Sequence, residues 1–349
     1  MGSADIVPGV SGGTMALITG IYERLINAIR SFDFPFLKRL ITLRIGAALG
    51  SVDWRFMLLL LSGMASAVFF FTRIVPLQVY MFTDPELVYG LFFGLIVGSI
   101  VVLTKAIEGF SWIHGLMIGL GTFIGFWVVT LVPTATSESP LFVFLSGSIA
   151  ICAMILPGIS GSYILLILRK YDFILSEVSR LGSAQTAEAF LVLLPFGLGA
   201  VVGLALFSRL LSWLLNRYEA KTLALLIGFL IGSLYVIWPY QNRTYKQIVA
   251  KEEIIAYRSD QAQRLRSAAP DKEQPEYQRL GSMVASDTES NEPKKVRLQT
   301  VKQKLIKSEP YIPYLTVEGS RTKHFSSGIW GMIVGLVLVV GLDYLRVKG

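Results

Sequence analysis

Two short segments carry the residue types best able to do chemistry in this chain. The first reads Val7-Pro8-Gly9-Val10-Ser11-Gly12-Gly13-Thr14, the second Leu156-Pro157-Gly158-Ile159-Ser160-Gly161-Ser162-Tyr163. Pro-Gly is a tight-turn pair, so Pro8-Gly9 and Pro157-Gly158 each reverse the chain. The Ser and Gly residues that follow leave hydroxyls and backbone N–H groups unobstructed at the start of a returning helix. Helix N-termini carry unpaired donors and a partial positive charge, the chemistry that receives an anion and phosphate above all. Each terminus contributes about 0.3–1 kcal/mol when exposed and up to ~2 kcal/mol when partly buried. Ser11, Gly12, Gly13, Thr14, Ser160, Gly161 and Ser162 are therefore the expected anion-binding residues. The plainer alternative is that these glycines only permit close helix packing, as expected for Gly94/Gly98 and Gly228/Gly232.

Ionisable residues flank both segments: Asp5, Glu23 and Arg24 around the first, Arg169, Lys170 and Asp172 after the second. Arg24 and Arg169 are candidates for phosphate contact, with interfacial anchoring as the alternative. Asp5, Glu23 and Asp172 are candidates for carrying a coupling proton or ion. His114, inside an apolar run, reads as a packing residue. One cysteine, Cys152, excludes a disulfide framework or a Cys-based zinc site, and two histidines argue against a His-rich metal centre. No metal and no cofactor are expected.

The elements that must position these residues follow from composition. Of 349 residues, 53% are apolar and 16% charged, with mean hydropathy +0.58. Soluble domains run about 45–50% apolar and about 25% charged, so a water-soluble enzyme is excluded. Eight stretches lack Asp, Glu, Lys and Arg. Six of them, 56–72, 87–104, 109–137, 189–208, 222–242 and 325–342, suit the roughly 20 residues that cross a bilayer. Stretch 139–168 is too long for one crossing, about 45 Å as a helix, and Pro157-Gly158 interrupts it. It reads as a re-entrant hairpin that enters, turns near mid-depth and leaves by the same side. Stretch 6–22 reads as the returning arm of a second such hairpin, whose entering arm is nearly absent before Met1. Nothing at the start looks like a cleavable signal peptide.

The chain also repeats itself. An offset of 149 places Ile6, Pro8, Gly9, Ser11, Gly12, Leu17, Ile18 and Tyr22 on identical residues of the second segment. An offset of 134 aligns Gly94/Gly98 with Gly228/Gly232, and a weaker offset of 216 aligns Gly115/Gly119 with Gly331/Gly335. Each copy is then one hairpin and three spans, and the odd span count turns copy two upside down. The expected fold is an all-α polytopic membrane protein of two inverted-topology repeats, an architecture typical of secondary transporters. Residues 1–137 form repeat one, with its first arm truncated. Residues 138–240 begin repeat two, 241–324 are a charged extramembrane insertion, and 325–349 supply the last span. The insertion holds 16 of the 32 Lys and Arg and 11 of the 24 Asp and Glu. It reads as short helices or disorder, with contacts to anionic lipid head groups. The net charge of +8 is concentrated there, which argues against nucleic acid as the partner. Arg24, Arg30, Lys38, Arg39, Arg44 and Arg55 put the segment after the first hairpin in the cytoplasm. The hairpin reading then places 241–324 outside, and a single crossing at 139–168 would place it inside.

The segments "MGSADIVPGVSGGTMALITGIYERL" and "ILPGISGSYILLIL" resemble the two signatures of the PopT-type undecaprenyl-phosphate translocases. The signature positions fall on Asp5, Pro8, Gly9, Ser11, Gly12, Gly13, Thr14, Tyr22 and Glu23, then on Pro157, Gly158, Ser160, Gly161 and Ser162. The resemblance implies a multi-pass protein of the bacterial cytoplasmic (inner) membrane. It implies a flippase, not an enzyme, that recycles a polyprenyl-phosphate lipid from the outer to the inner leaflet for cell-wall biogenesis. The missing membrane arm before the first signature and the long insertion depart from the family. A phosphate monoester head carries about −1.5 to −2 charges near neutral pH, so it needs a shielded polar cleft while its tail stays in lipid. Alternating exposure of that cleft would move the head, driven by H⁺ or Na⁺. The alternative function is an inorganic-anion channel or ion-coupled anion exchanger.

Overall fold

Inside a bilayer a chain must satisfy its own backbone polar groups, and the uncharged runs do so as helices. The computed structural model describes residues 1–6, 11–75, 77–131, 136–182, 185–267, 274–284, 295–313 and 325–348. Three short helices open the chain: α1 (Gly2–Ile6), α2 (Gly12–Ile18) and α3 (Tyr22–Arg30). Helices α4 (Phe34–Ile41) and α5 (Ile45–Leu49) carry the basic segment. Helix α6 (Trp54–Phe69) continues through a π-helical turn to Ile74 and is followed by α7 (Leu77–Thr83). Helix α8 (Pro85–Ala106) starts on Pro85, with Glu86 in its first turn and Lys105 in its last, complementing the helix dipole. Helix α9 (Trp112–Thr130) opens on a capping box in which His114 Nδ1 accepts the Ser111 backbone N–H at 3.0 Å. His114 thus has a structural task.

Helix α10 (Pro140–Ile155), capped by Ser139, is followed by a break and by α11 (Gly161–Ile167) and α12 (Tyr171–Arg180). The break turns on Gly158, whose φ of +82° and close approach to the Phe229 carbonyl leave no room for a Cβ. The chain doubles back there. Thr136, before α10, receives the Lys170 ammonium on its carbonyl at 3.4 Å and donates its hydroxyl to the Leu168 carbonyl, both beyond α11. Helix α13 (Thr186–Ile237) has 52 residues, about 78 Å, and bends at Tyr218 (φ −138°, ψ 46°), so it is two arms. These arms contain the expected span 189–208 and most of 222–242, whose last residues, 238–242, lie beyond the helix and lead into a strand. Among the described residues, five helices are long and apolar enough to cross a membrane, at 54–74, 85–106, 112–130, 186–237 and 325–344, the fourth being the bent one.

Glycines set how these helices pair. Cβ atoms on Gly90 and Gly94 would strike the carbonyls of Gly328 and Met332, so α8 lies directly against the final helix, α15 (Phe325–Lys348). Gly228 and Gly232 sit in the same way against Ile118 and Thr122 of α9. Gly199 and Gly203 of the first α13 arm sit against Phe144 and Ser148 of α10. Residue numbers climb together in all three pairs, so the partners run parallel. Met332 stands to Gly94 as Ile118 stands to Gly228, and Leu336 to Gly98 as Thr122 to Gly232; both correspondences are 214 residues apart. The offset of 216 is therefore corrected by two. Gly115 and Gly119 face open space, whereas Gly121 and Gly125 make the contact.

The all-α expectation is also corrected. The insertion folds as a three-stranded antiparallel sheet, β1 (Gln241–Ala256), β2 (Glu276–Val284) and β3 (Lys295–Pro310), in the order β1-β3-β2, with helix α14 (Asp260–Ser267) preceding β2. The expectation of short helices or disorder missed an alternation. Lys295-Val296-Arg297-Leu298-Gln299 has period two and buries Val296 and Leu298, while Val301, out of phase with them, is buried as well, as are Tyr277 and Ala262. The foot of this ribbon is fastened to the helices. The Arg243 guanidinium lies 4.3 Å over the Tyr89 ring, Trp238 donates to the Tyr311 carbonyl at 3.0 Å, and Tyr240 donates to the Phe325 carbonyl at 2.8 Å.

Candidate functional site

The end of α10 leaves carbonyls that the helix cannot satisfy. The first Ser-Gly-Gly-Thr segment supplies their donors. The Ser11 hydroxyl donates to the Met154 carbonyl at 3.2 Å, and the Tyr22 hydroxyl donates to the Ile155 carbonyl at 3.1 Å. In the other direction, Gly158 N–H donates to the Thr14 hydroxyl at 2.9 Å. Gly13 lies so close to the Ile155 carbonyl that a Cβ would sit 2.6 Å from it. Ser11, Gly13 and Thr14 of the first segment therefore meet the end of α10 and the Gly158 turn of the second. Pro8 and Gly9, with Val7 and Val10, lie outside the described residues, and Pro157 is buried.

Within this junction the two segments are not equivalent. Ser11 is buried and caps α2, its oxygen accepting Gly13 N–H at 3.1 Å. Gly12 N–H donates to the Asp5 carboxylate at 2.7 Å, so the first segment already carries an anion of its own. Thr14 is fully buried. In the second segment Ser160 makes no capping bond, and its hydroxyl pairs with that of Ser162 at 2.8 Å on an accessible side of the molecule. Gly161 rests on the Ala150 carbonyl, seating α11 against α10.

Four charged candidates lie away from the junction. Arg24 forms an ion pair with Asp53 at 2.7 Å and lies 4.6 Å over the Phe56 ring. That hydrogen bond from Arg24 holds the Asp53 carboxyl below the usual carboxylate range. Glu23, Arg24, Asn27, Ser31, Ser51 and Asp53 line an open depression of about 460 Å³. Arg169 is exposed, with a left-handed backbone at φ +52°. Asp172 stands in the first turn of α12. Sequence reasoning missed the Tyr22–Ile155 bond, the Asp53 partner of Arg24 and the burial of Lys170. Tyr22 was detectable as a repeated tyrosine, but nothing in the sequence paired it with the other segment.

Residues 1–255 match the model of the undecaprenyl phosphate translocase-like family. The chain belongs to that family. It is 37% identical over 242 residues to the polyprenyl-phosphate transporter of Vibrio cholerae, covering 69% of this chain and 76% of that protein. It is 33% identical over 263 residues to the polyprenyl-phosphate transporter of Staphylococcus aureus, covering 68% of this chain and 83% of that one. No solved structure matches it. The family is the one that the two Pro-Gly segments resemble. With its long apolar helices, this makes the chain a polytopic membrane protein whose relatives are transporters.

Proposed function

We propose that this chain is a polyprenyl-phosphate translocase that holds the phosphate head where two re-entrant hairpins meet and exposes it to each face in turn. The observation that carries this reading is the cross-bonding of the two Pro-Gly segments through Ser11, Thr14, Met154 and Gly158. Broken backbone at membrane depth is tolerated where it is buried in protein or lines a cavity. The names of the relatives supply the substrate class.

The helix pairing supports an inverted repeat. The second span of each copy packs on the third span of the other, with glycines at equivalent places. Parallel pairing puts the ends at Thr130 and Ile237 and the start of α15 on one face, and the 107–111 connection on the other. The bond between Thr136 and residues beyond α11 supports return of the second hairpin to its own side. With the basic 24–55 segment in the cytoplasm of a bacterium, the ribbon faces outward at the cytoplasmic membrane.

The Ser11 and Thr14 bonds form a latch. Two neutral hydrogen bonds of about 0.5–1.5 kcal/mol each are offset by one or two charge-assisted bonds to phosphate at about 1.5–3 kcal/mol each. The Ser160–Ser162 hydroxyl pair and the N–H groups of Gly161 and Ser162 start the exchange, Gly12 and Gly13 complete it, and Arg24 or Arg169 meets the head on its way to the junction. Among the coupling candidates Asp5 is best placed, because its carboxylate occupies the Gly12 N–H that the head would take. Glu23 and Asp172 sit at the rims, and H⁺ or Na⁺ is the coupling ion. The test is a leaflet-resolved assay in proteoliposomes carrying undecaprenyl phosphate. The protein should accelerate movement of that lipid and leave inorganic phosphate unmoved. Movement no faster than in empty liposomes would refute the reading.

A further inference from the structure

Lys170 is the one buried Lys or Arg among the described residues. It is 2% exposed, and among the described residues no carboxylate pairs with it. Its ammonium reaches only the Thr136 carbonyl at 3.4 Å and the faces of Phe173 and Phe142 at 5.0 and 5.8 Å. The buried acid closest in sequence, Glu177, is bonded instead to Arg180 at 2.9 Å. One carbonyl and two ring faces offer partial negative charge but no full counter-ion. A buried charge without one is costly, and in a membrane protein it marks function by default.

The repeat sharpens the point. Both returning helices end in the same motif, with a left-handed residue followed by one that bonds back five residues. In the first copy these are Gly20 (φ +70°) and Ile21, whose N–H donates to the Ala16 carbonyl at 3.0 Å. In the second they are Arg169 (φ +52°) and Lys170, whose N–H donates to the Leu165 carbonyl at 2.8 Å. The position after the left-handed residue is ordinarily apolar and packs back on the helix, as Ile21 does. The second copy keeps the backbone, spends a strained non-glycine residue on it, and places an ammonium in the apolar slot.

We propose that Lys170 is the counter-charge for the phosphate monoester head of a polyprenyl phosphate, at the mouth of the second hairpin on the face where the ribbon stands. Phe142 and Phe173 then meet the first prenyl units of its tail. This rests on the transport reading, and it adds a residue and a side of entry to it.

The test uses full-length protein in detergent and compares affinities for undecaprenyl phosphate and for undecaprenol, which lacks the phosphate. Wild type should prefer the phosphate, and Lys170→Met should lose about tenfold or more of that preference. Lys170→Arg should retain most of it, and Lys170→Gln serves if the Met variant does not fold. Without lipid, Lys170→Met should melt no lower than wild type, because a lone buried charge has been removed. An unchanged preference in Lys170→Met or Lys170→Gln would overturn the proposal and leave the transport reading standing. No preference in wild type would overturn both. Equal protection by inorganic phosphate alone would overturn the lipid assignment.

Discussion

Thr14 shows how one side chain can hold two distant segments together. It is fully buried, and its hydroxyl is the acceptor for Gly158 N–H. Thr14→Val keeps the shape and strands that amide, so it should destabilise the protein by about 1–3 kcal/mol. Thr14→Ser should keep most of the stability, and thermal unfolding in detergent separates the two. Asp53 leads to a different expectation. Its carboxyl is held below the usual range, so the Arg24 contact is present above that range and lost only as pH falls through the lowered value. Between about pH 5 and 8 the pair keeps its charge, and Asp53→Asn should leave the pH profile of melting unchanged across that window. A pH step there that vanishes in the variant would contradict this. The types and spacing of the junction residues were legible in the sequence, because identical Pro-Gly-x-Ser-Gly runs recur 149 residues apart. Burial was not legible. Lys170 and Arg24 both read as charges at the ends of apolar stretches, yet one is enclosed and the other pairs at the surface.

Among the elements, the glycine crossings are where packing is least forgiving. A Cβ on Gly94 would sit 2.0 Å from the Met332 carbonyl oxygen, and one on Gly228 would sit 2.3 Å from that of Ile118. Gly94→Ala and Gly228→Ala should each cost about 1–3 kcal/mol by overpacking. Gly115→Ala meets nothing within 4 Å and should be neutral or gain up to about 1 kcal/mol of helix propensity. Melting curves that ranked the three alike would refute this pairing. The spans could be read in advance because length without charge is a coarse signal. The register could not, because α9 holds two Gly-x-x-x-Gly pairs and identity alone does not say which faces a partner. The ribbon was hidden for another reason. Its period-two apolar residues stand among so many charges that composition points to disorder, and only pairing with β1 and β2 makes the alternation useful.

For the whole molecule, parallel pairing of α8 with α15 and of α9 with the second α13 arm commits the chain to one topology. In the proposed topology the basic 24–55 segment and the ribbon take opposite faces. In a Cys152→Ser background, Gln263→Cys should react with a membrane-impermeant maleimide in intact cells. Thr42→Cys should react only after permeabilisation. Labelling of both from the same side would contradict the inverted arrangement. The turn inside 139–168 was legible because a run too long for one crossing carries Pro-Gly inside it. That its tip bonds to the first segment was beyond sequence, since such contacts depend on how two halves close on each other.

The central claim is that the lipid's phosphate is handled at the junction of the two Ser-Gly segments, and Ser160 and Ser162 are the hydroxyls beside it that hold no helix together. Leaflet-resolved flux of undecaprenyl phosphate in proteoliposomes should fall about tenfold or more in the Ser160→Ala, Ser162→Ala double variant. Its melting temperature should stay within about 2 °C of wild type, and Gly115→Ala should move lipid normally. Wild-type flux from the folded double variant would contradict the account.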